Sequence, residues 1–296
     1  MKKLIVVSIL SLFSLSAMNS YAETKAPIPL EQFLKRDVFS TMNISPTGEY
    51  FAAIIPKDDG SALVILRRSD MKVTGKVGLP KNTYITSFNW VNPQRILFSI
   101  GEKAGELEAP SGTGEIYGVN VDGKGQDGAL IGARSASAGN RFIGATILST
   151  LRNEDDFVLV NIRGESGTSQ VARMNVKTGT YTTVVKSPVR NGSFSIDPLG
   201  QVRFVVGYGS DNRAKTYYRD NNDAEWELIN DETVTEKNIS SAGFSADGKT
   251  VYIESEEPNG PNAIYIFNPV SKEKKLLLVD NNVDPAGYLT SPVDGG

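Results

Sequence analysis

Residues 44–54 read ISPTGEYFAAI, and residues 244–254 read FSADGKTVYIE. Each has a small residue, Ser45 or Ser245, opening a turn that ends in Gly, then a run of strand-forming residues. The turn has a physical logic. Pro presets one dihedral of a chain reversal, and Gly accepts the positive φ that other side chains resist. Related turns stand at Asn92-Pro93-Gln94-Arg95 and Asp197-Pro198-Leu199-Gly200, with a looser version in LRNEDDFVLV, residues 151–160. The spacing of about 45 to 60 residues is the period expected of four-stranded propeller blades.

Working outward, the chain from Met42 to Val279 is a series of short runs rich in Val, Ile, Tyr, Phe and Thr. They include YFAAII, ALVILRR, RILFSI, EIYGVNV, DFVLVNI, QVARMNV, TYTTVV, VRFVVGY, TYYRD, WELIN, TVYIES, AIYIFN and KKLLLV. Asp-Gly, Asn-Pro and other Gly-containing turns separate them, which reads as strands. One turn leads each unit, followed by a strand, a second strand ending in a polar hairpin, and a third. About five such units predict an all-β propeller of about five recognisable four-stranded blades. A β-sandwich is the alternative with many short strands. One blade cannot cover both its faces, so stacking blades against each other buries them. The helical pattern is confined to PIPLEQFLKRDVFST, residues 27–41, with Leu30, Phe33 and Leu34 at helical spacing.

The bulk numbers narrow the chemistry. The 296 residues are 40% hydrophobic and 22% charged, with a formal charge of -3, which fits a globular chain with an adequate core. That charge, and lysines and arginines scattered without an aromatic-interleaved stripe, speak against nucleic-acid binding. The chain contains no Cys and no His. Disulfides, thiolate chemistry, the usual general base and the commonest zinc ligand are therefore all missing. The start, MKKLIVVSILSLFSLSAMNSYA, has two lysines, an apolar stretch from Leu4 to Ala17, and a small-x-small site at Ser20-Tyr21-Ala22. This predicts a secretory signal peptide cut after Ala22 and an exported, periplasmic or secreted protein. The expected divisions are 1–22, signal peptide; 23–41, an N-terminal segment with a short helix; and 42–296, the propeller.

PIPLEQFLKRDVFSTMNISPTGEYFAAIIP resembles the start of bacterial secreted peptidases of the prolyl oligopeptidase family, in the dipeptidyl-peptidase and acylaminoacyl-peptidase-like branch. Members begin with a Pro-Leu-Glu-x-Phe helix, a Ser-Pro-Asp-Gly-type turn and the first propeller strand. TSFNWVNPQRILFSI is similar to the next blade of those proteins, and IYGVNVDGKG to its continuation. The resemblance implies a seven-bladed propeller followed by an α/β-hydrolase domain with a Ser-Asp-His triad. It implies hydrolysis of peptides, with the propeller restricting access to the serine. This chain lacks a G-x-S-x-G elbow, a His, about two blades and the hydrolase domain. Its tail, DPAGYLTSPVDGG, is superficially similar to the Gly-Tyr-Leu stretch that leads into that domain. The reading is an incomplete seven-bladed propeller from a truncated gene product, with a peptide substrate or an absent hydrolase domain as partner. No catalytic, cofactor or metal residue is carried over. A self-standing periplasmic propeller that binds a protein or peptide, as the Tol-system propeller does, is the second reading. Missing blades would leave the end sheets exposed, with poor solubility or self-association as the expected consequence unless the ends meet in a five-bladed ring.

Four motif lookalikes read as turns and loops. Ser135-Ala136-Ser137-Ala138-Gly139 approximates a nucleophile elbow but has Ser where the first Gly belongs. Ser69-Asp70-Met71-Lys72, Lys177-Thr178-Gly179 and Ser210-Asp211-Asn212 match the three β-lactamase motifs, in the wrong order and in hairpin contexts. Gly123 to Gly128 satisfies G-x-G-x-x-G without a helix to follow. Glu154-Asp155-Asp156, Asn221-Asn222-Asp223 and Glu254 to Glu257 lack calcium-loop spacing and read as solvated turns. Glu256 and Glu257 are adjacent, so on a strand they point to opposite faces and form no paired amine grip. Trp90, Tyr217, Tyr218 and Trp226 read as blade packing.

Overall fold

The computed structural model describes residues 37–126, 128–135, 143–151, 154–287 and 289. The chain divides into Met1–Asp37 and Val38–Gly296, and the second unit carries all the strands described here. The expected signal peptide and most of the expected helix lie outside the described residues. The helix's last part is corrected: residues 37–40 are non-helical, and Thr41 already begins a strand.

Among the described residues twenty strands form five groups of four in chain order. The first group is β1 (Thr41–Ile44), β2 (Tyr50–Lys57), β3 (Gly60–Arg67) and β4 (Val73–Gly78). The second is β5 (Thr83–Asn92), β6 (Arg95–Glu102), β7 (Ser111–Asn120) and β8 (Ala129–Ile131). The third is β9 (Gly144–Thr150), β10 (Phe157–Arg163), β11 (Ser169–Asn175) and β12 (Tyr181–Lys186). The fourth is β13 (Ser193–Ile196), β14 (Val202–Tyr208), β15 (Ala214–Tyr218) and β16 (Glu227–Asp231). The fifth is β17 (Ile239–Phe244), β18 (Val251–Glu257), β19 (Gly260–Phe267) and β20 (Lys274–Val279). Within each group, neighbours in sequence pair antiparallel; one parallel bridge, Gly60 to Thr83, links the first two groups into a continuous sheet. This is a propeller-like, nearly all-β fold rather than a sandwich of two sheets.

The repeated turn does not lead each unit, as the sequence suggested, but joins the first strand to the second inside it. Its construction is the same 200 residues apart. Gly48 N–H donates to Ser45 O and Gly248 N–H to Ser245 O, both at 2.8 Å. Ser45 Oγ accepts from Tyr50 N–H, and Ser245 Oγ from Thr250 N–H. Asp197 does the same work with a carboxylate, accepting from the N–H groups of Leu199 and Gln201. The glycines at 48, 200 and 248 all have φ between 69° and 80°, where a Cβ would be strained.

Four apolar clusters hold the groups together, each made from two successive ones. Leu63 and Ile65 meet Ile96 and Phe98 between the first and second. Leu97 and Ile116 meet Val158 and Met174 between the second and third. Leu159 and Val171 meet Phe194 and Val205 between the third and fourth, and Phe204 meets Ile253 and Phe267 between the fourth and fifth. None of the four clusters spans the fifth and the first. Each fully buried side chain of this size contributes about 1.5–3 kcal/mol, so these faces dominate stability. At the far end all six residues of β20 are exposed, Leu276, Leu277 and Leu278 among them.

Buried arginines tie two of these joints, second to third and fourth to fifth, at the turn end. Arg95, at the start of β6, donates through Nε to Val176 O of the next group at 2.7 Å. Arg203, at the start of β14, donates to Gly248 O of the next group at 3.0 Å and to Asp197 Oδ2 at 2.9 Å.

Candidate functional site

The motif lookalikes are dispersed. Ser69 and Lys72 lie in the β3–β4 hairpin, Lys177-Thr178-Gly179 in the β11–β12 hairpin, and Ser210-Asp211-Asn212 in the β14–β15 hairpin. They belong to three different groups, and strand alternation puts the last at the opposite end of the sheets from the other two. Asn175 Oδ1 caps the second by accepting from the N–H groups of Lys177 and Thr178. Ser135 is buried and donates to Gly132 O; the rest of that approximate elbow lies outside the described residues. Gly123 to Gln126 make a loop closed by Gln126 Nε2 on Gly123 O, without a helix. Three members of the acidic clusters are ion-paired, Glu154 with Arg173, Asp156 with Lys177 and Glu257 with Lys237. Among the described residues no group of three or more Asp or Glu could hold a metal ion. Trp226 packs on Phe194 and under Arg219, and Tyr218 edges onto Phe204.

A different place has the shape of a site. A cleft of about 570 Å³ lies at the end of the third group, within the size range of small-ligand sites. Ile162, Gln170 and Lys186 form one row across β10, β11 and β12, each opposite the next. They supply one wall with Tyr181, and Ile143, Pro188 and Val189 add apolar surface. The rim is two loops: residues 164–168, joining β10 to β11, and 187–192, joining β12 to the fourth group. Asn191 N–H donates to Gly167 O at 2.8 Å, Arg190 Nε to Ser166 O at 3.0 Å, and Ser187 N–H to Ser169 O at 2.9 Å. Ser166 and Asn191, at φ 59° and 52°, hold left-handed backbone that non-glycine residues rarely adopt. The rim is thus stitched shut in one conformation. Ser169 Oγ is buried beside it with no hydrogen-bond partner, a costly arrangement.

These residues carry no sequence motif, because their contact depends on strand register across about 50 residues. A second buried group was also missed. Glu115, 2% exposed, has Oε1 at 3.9 Å from Arg134 Nε while its Oε2 has no partner. Burial, then the Glu115 charge, pushes the neighbouring Tyr117 phenol up.

Ion pairs crowd this same end of the fourth and fifth groups. Lys215 binds Asp231 at 2.6 Å, Arg213 binds Glu232 at 2.7 Å, and Lys237 binds Glu257 at 3.2 Å. The Lys215 hydrogen bond holds the Asp231 carboxyl down, the Ala214 N–H that of Glu232, and the Tyr265 hydroxyl that of Glu257. The Asp231 hydrogen bond pushes Lys215 up. Depressed carboxylates stabilise the fold above the ordinary range near pH 4, and that contribution is lost as pH falls through their lowered values. Raised Lys215 stabilises below about pH 10 and loses its contribution above it. Thermal unfolding is therefore expected to show a plateau from about pH 5 to 10 and a decline below about pH 4. A midpoint that rises on acidification from pH 5 to 3 would contradict this electrostatic picture.

No protein-family model and no curated protein matches the chain. Solved structures do. A structure assigned as a dipeptidyl aminopeptidase IV from Bacteroides ovatus ATCC 8483 is similar with TM-score 0.53 and 12% identity, over 80% of this chain and 39% of that one. Puromycin hydrolase is similar with TM-score 0.51 and 13% identity, over 86% of this chain and 41% of the other. TolB from Acinetobacter baumannii gives TM-score 0.42 and 14% identity, over 84% and 56%. At these identities the first two likenesses establish a propeller-like fold and nothing finer. The chain spans about two-fifths of the length of those two proteins.

Proposed function

We propose that the chain is the propeller portion of an exported prolyl-oligopeptidase-like serine peptidase, acting on peptides by gating their access to a hydrolase domain outside these 296 residues. The observation that carries the reading is the pairing of fold and composition. The fold is similar to that of two hydrolytic proteins over about two-fifths of their length, while the chain contains no His from which a Ser-His-Asp set could be built. The predicted signal peptide supports export. No helix among the described residues is long and apolar enough to cross a membrane.

The purified chain is expected to leave chromogenic peptides uncleaved and to take no label from a fluorophosphonate probe. Turnover that the probe abolishes would overturn the reading. The coding DNA that follows is the second test. A hydrolase segment with a G-x-S-x-G elbow, in frame or frameshifted, supports the peptidase; an unrelated gene after a clean stop favours a self-standing propeller that binds a protein or peptide. The preformed cleft of the third group favours that second reading, since binding there needs no acid-base chemistry.

A further inference from the structure

We propose that the cleft on the third group is a binding site for an extended peptide end carrying a free C-terminal carboxylate preceded by apolar residues. Its length suits a chain rather than a compact ion. Tyr181 and Lys186, both lining the cleft, stand at the two ends of β12, five residue steps or about 16 Å apart at about 3.3 Å per residue, the span of four or five extended peptide residues. Ile143, Ile162, Pro188 and Val189 give it apolar walls for alternate side chains. β12 pairs on one side only, with β11, so its other edge offers main-chain hydrogen bonds beside the groove.

The charge distribution sets the polarity. Lys186 and Arg190 stand at the loop end, and among the described residues neither has a carboxylate within ion-pair distance. Glu165 is the one acid among the described lining residues, leaving cations in excess at that end. Of the other cations on the third group, Lys177 is paired with Asp156 and Arg173 with Glu154. Cations without a carboxylate partner over an apolar groove recognise an anion attached to an apolar body. The backbone stitching of residues 164–168 to 187–192, with two left-handed residues, means the rim is ordered before the ligand arrives. Preorganisation of this kind lowers the entropic cost of binding. Strained backbone of this kind collects at ligand clamps. The buried, unpartnered Ser169 hydroxyl beside the rim is a polar group the fold has left unused.

The site stands apart from the peptidase reading, because its test measures binding and not hydrolysis. The probe is a dye-labelled Ala-Ala-Leu-Leu peptide with a free carboxylate, followed by fluorescence anisotropy and compared with its C-terminal amide. Saturable binding of the acid, at least tenfold weaker binding of the amide, and weakening by salt are expected. Lys186→Glu should reduce affinity at least tenfold without moving the thermal midpoint, since the Lys186 side chain is exposed. Lys177→Gln, in the hairpin at the other end of β12, should leave affinity unchanged. Equal binding of acid and amide, no saturable binding of the acid at millimolar concentration, or an unchanged affinity in Lys186→Glu would each overturn the proposal.

Discussion

Arg203→Met is expected to lower the stability of the chain by about 3–5 kcal/mol, the cost of removing one partner from a buried ion pair. The pair is deeply placed: the Arg203 and Asp197 side chains are 9% and 1% exposed. The guanidinium also donates to the carbonyls of Gly248 and Arg219 and to the Tyr218 hydroxyl. Burial pushes Arg203 down, but the Tyr218 and Asp197 hydrogen bonds outweigh it, so the net direction is upward. Burial likewise drives the Tyr218 phenol up to about 12, against the lowering influence of Arg203. Methionine would fill much of the volume and leave the buried Asp197 Oδ2 without its guanidinium partner. Adding Asp197→Asn should recover more than about 1 kcal/mol, because Asn keeps the acceptor for Leu199 and Gln201 while removing the charge. Urea unfolding of the wild type, both single variants and the double variant completes the cycle. A cost below about 1 kcal/mol for Arg203→Met would mean that the apolar cluster alone holds the fourth group to the fifth.

Gly179→Ala is the second large effect. Gly179 has φ 71° in the β11–β12 hairpin, and an added Cβ would lie 2.1 Å from Leu130 O and 2.7 Å from Leu130 C. The clash is with backbone of β8, in the preceding group, so no side-chain rotation relieves it. Left-handed backbone costs a residue with a Cβ about 1–2 kcal/mol. The forced backbone shift adds about 1–3 kcal/mol. Gly48→Ala is the internal control: its φ is 72°, but its Cβ would meet the flexible end of Arg68 at 3.2 Å. Gly179→Ala should therefore unfold at a lower temperature than Gly48→Ala. Equal midpoints would show that the hairpin and β8 are not pressed together in solution.

Legibility in the sequence followed burial. Strands such as β3, β6 and β14 are covered on both faces and read as nearly unbroken apolar runs. YFAAII and VRFVVGY were visible for this reason, and VRFVVGY has the bounds of β14; KKLLLV, with the bounds of β20, was visible from its apolar run alone. The first strands were not visible. TMNI, SFSI and ISSAGF are short, mixed in polarity and partly exposed, so neither alternation nor an apolar run marks them. Their omission is why the turn looked like the head of each unit rather than its first internal corner. KKLLLV also shows the limit of the signal, because its apolar run is exposed throughout.

Strand content, the period of the repeat and the absence of His were determined by the sequence alone, because alternation, turn dihedrals and residue chemistry are local properties. The arginine ties, the unpartnered Glu115 Oε2 and Ser169 Oγ, and the cleft were decided only by the tertiary structure. Each depends on strand register or on one group stacking against the next, and residues brought together that way, such as Ile162 and Lys186 or Arg203 and Gly248, leave no mark in linear order.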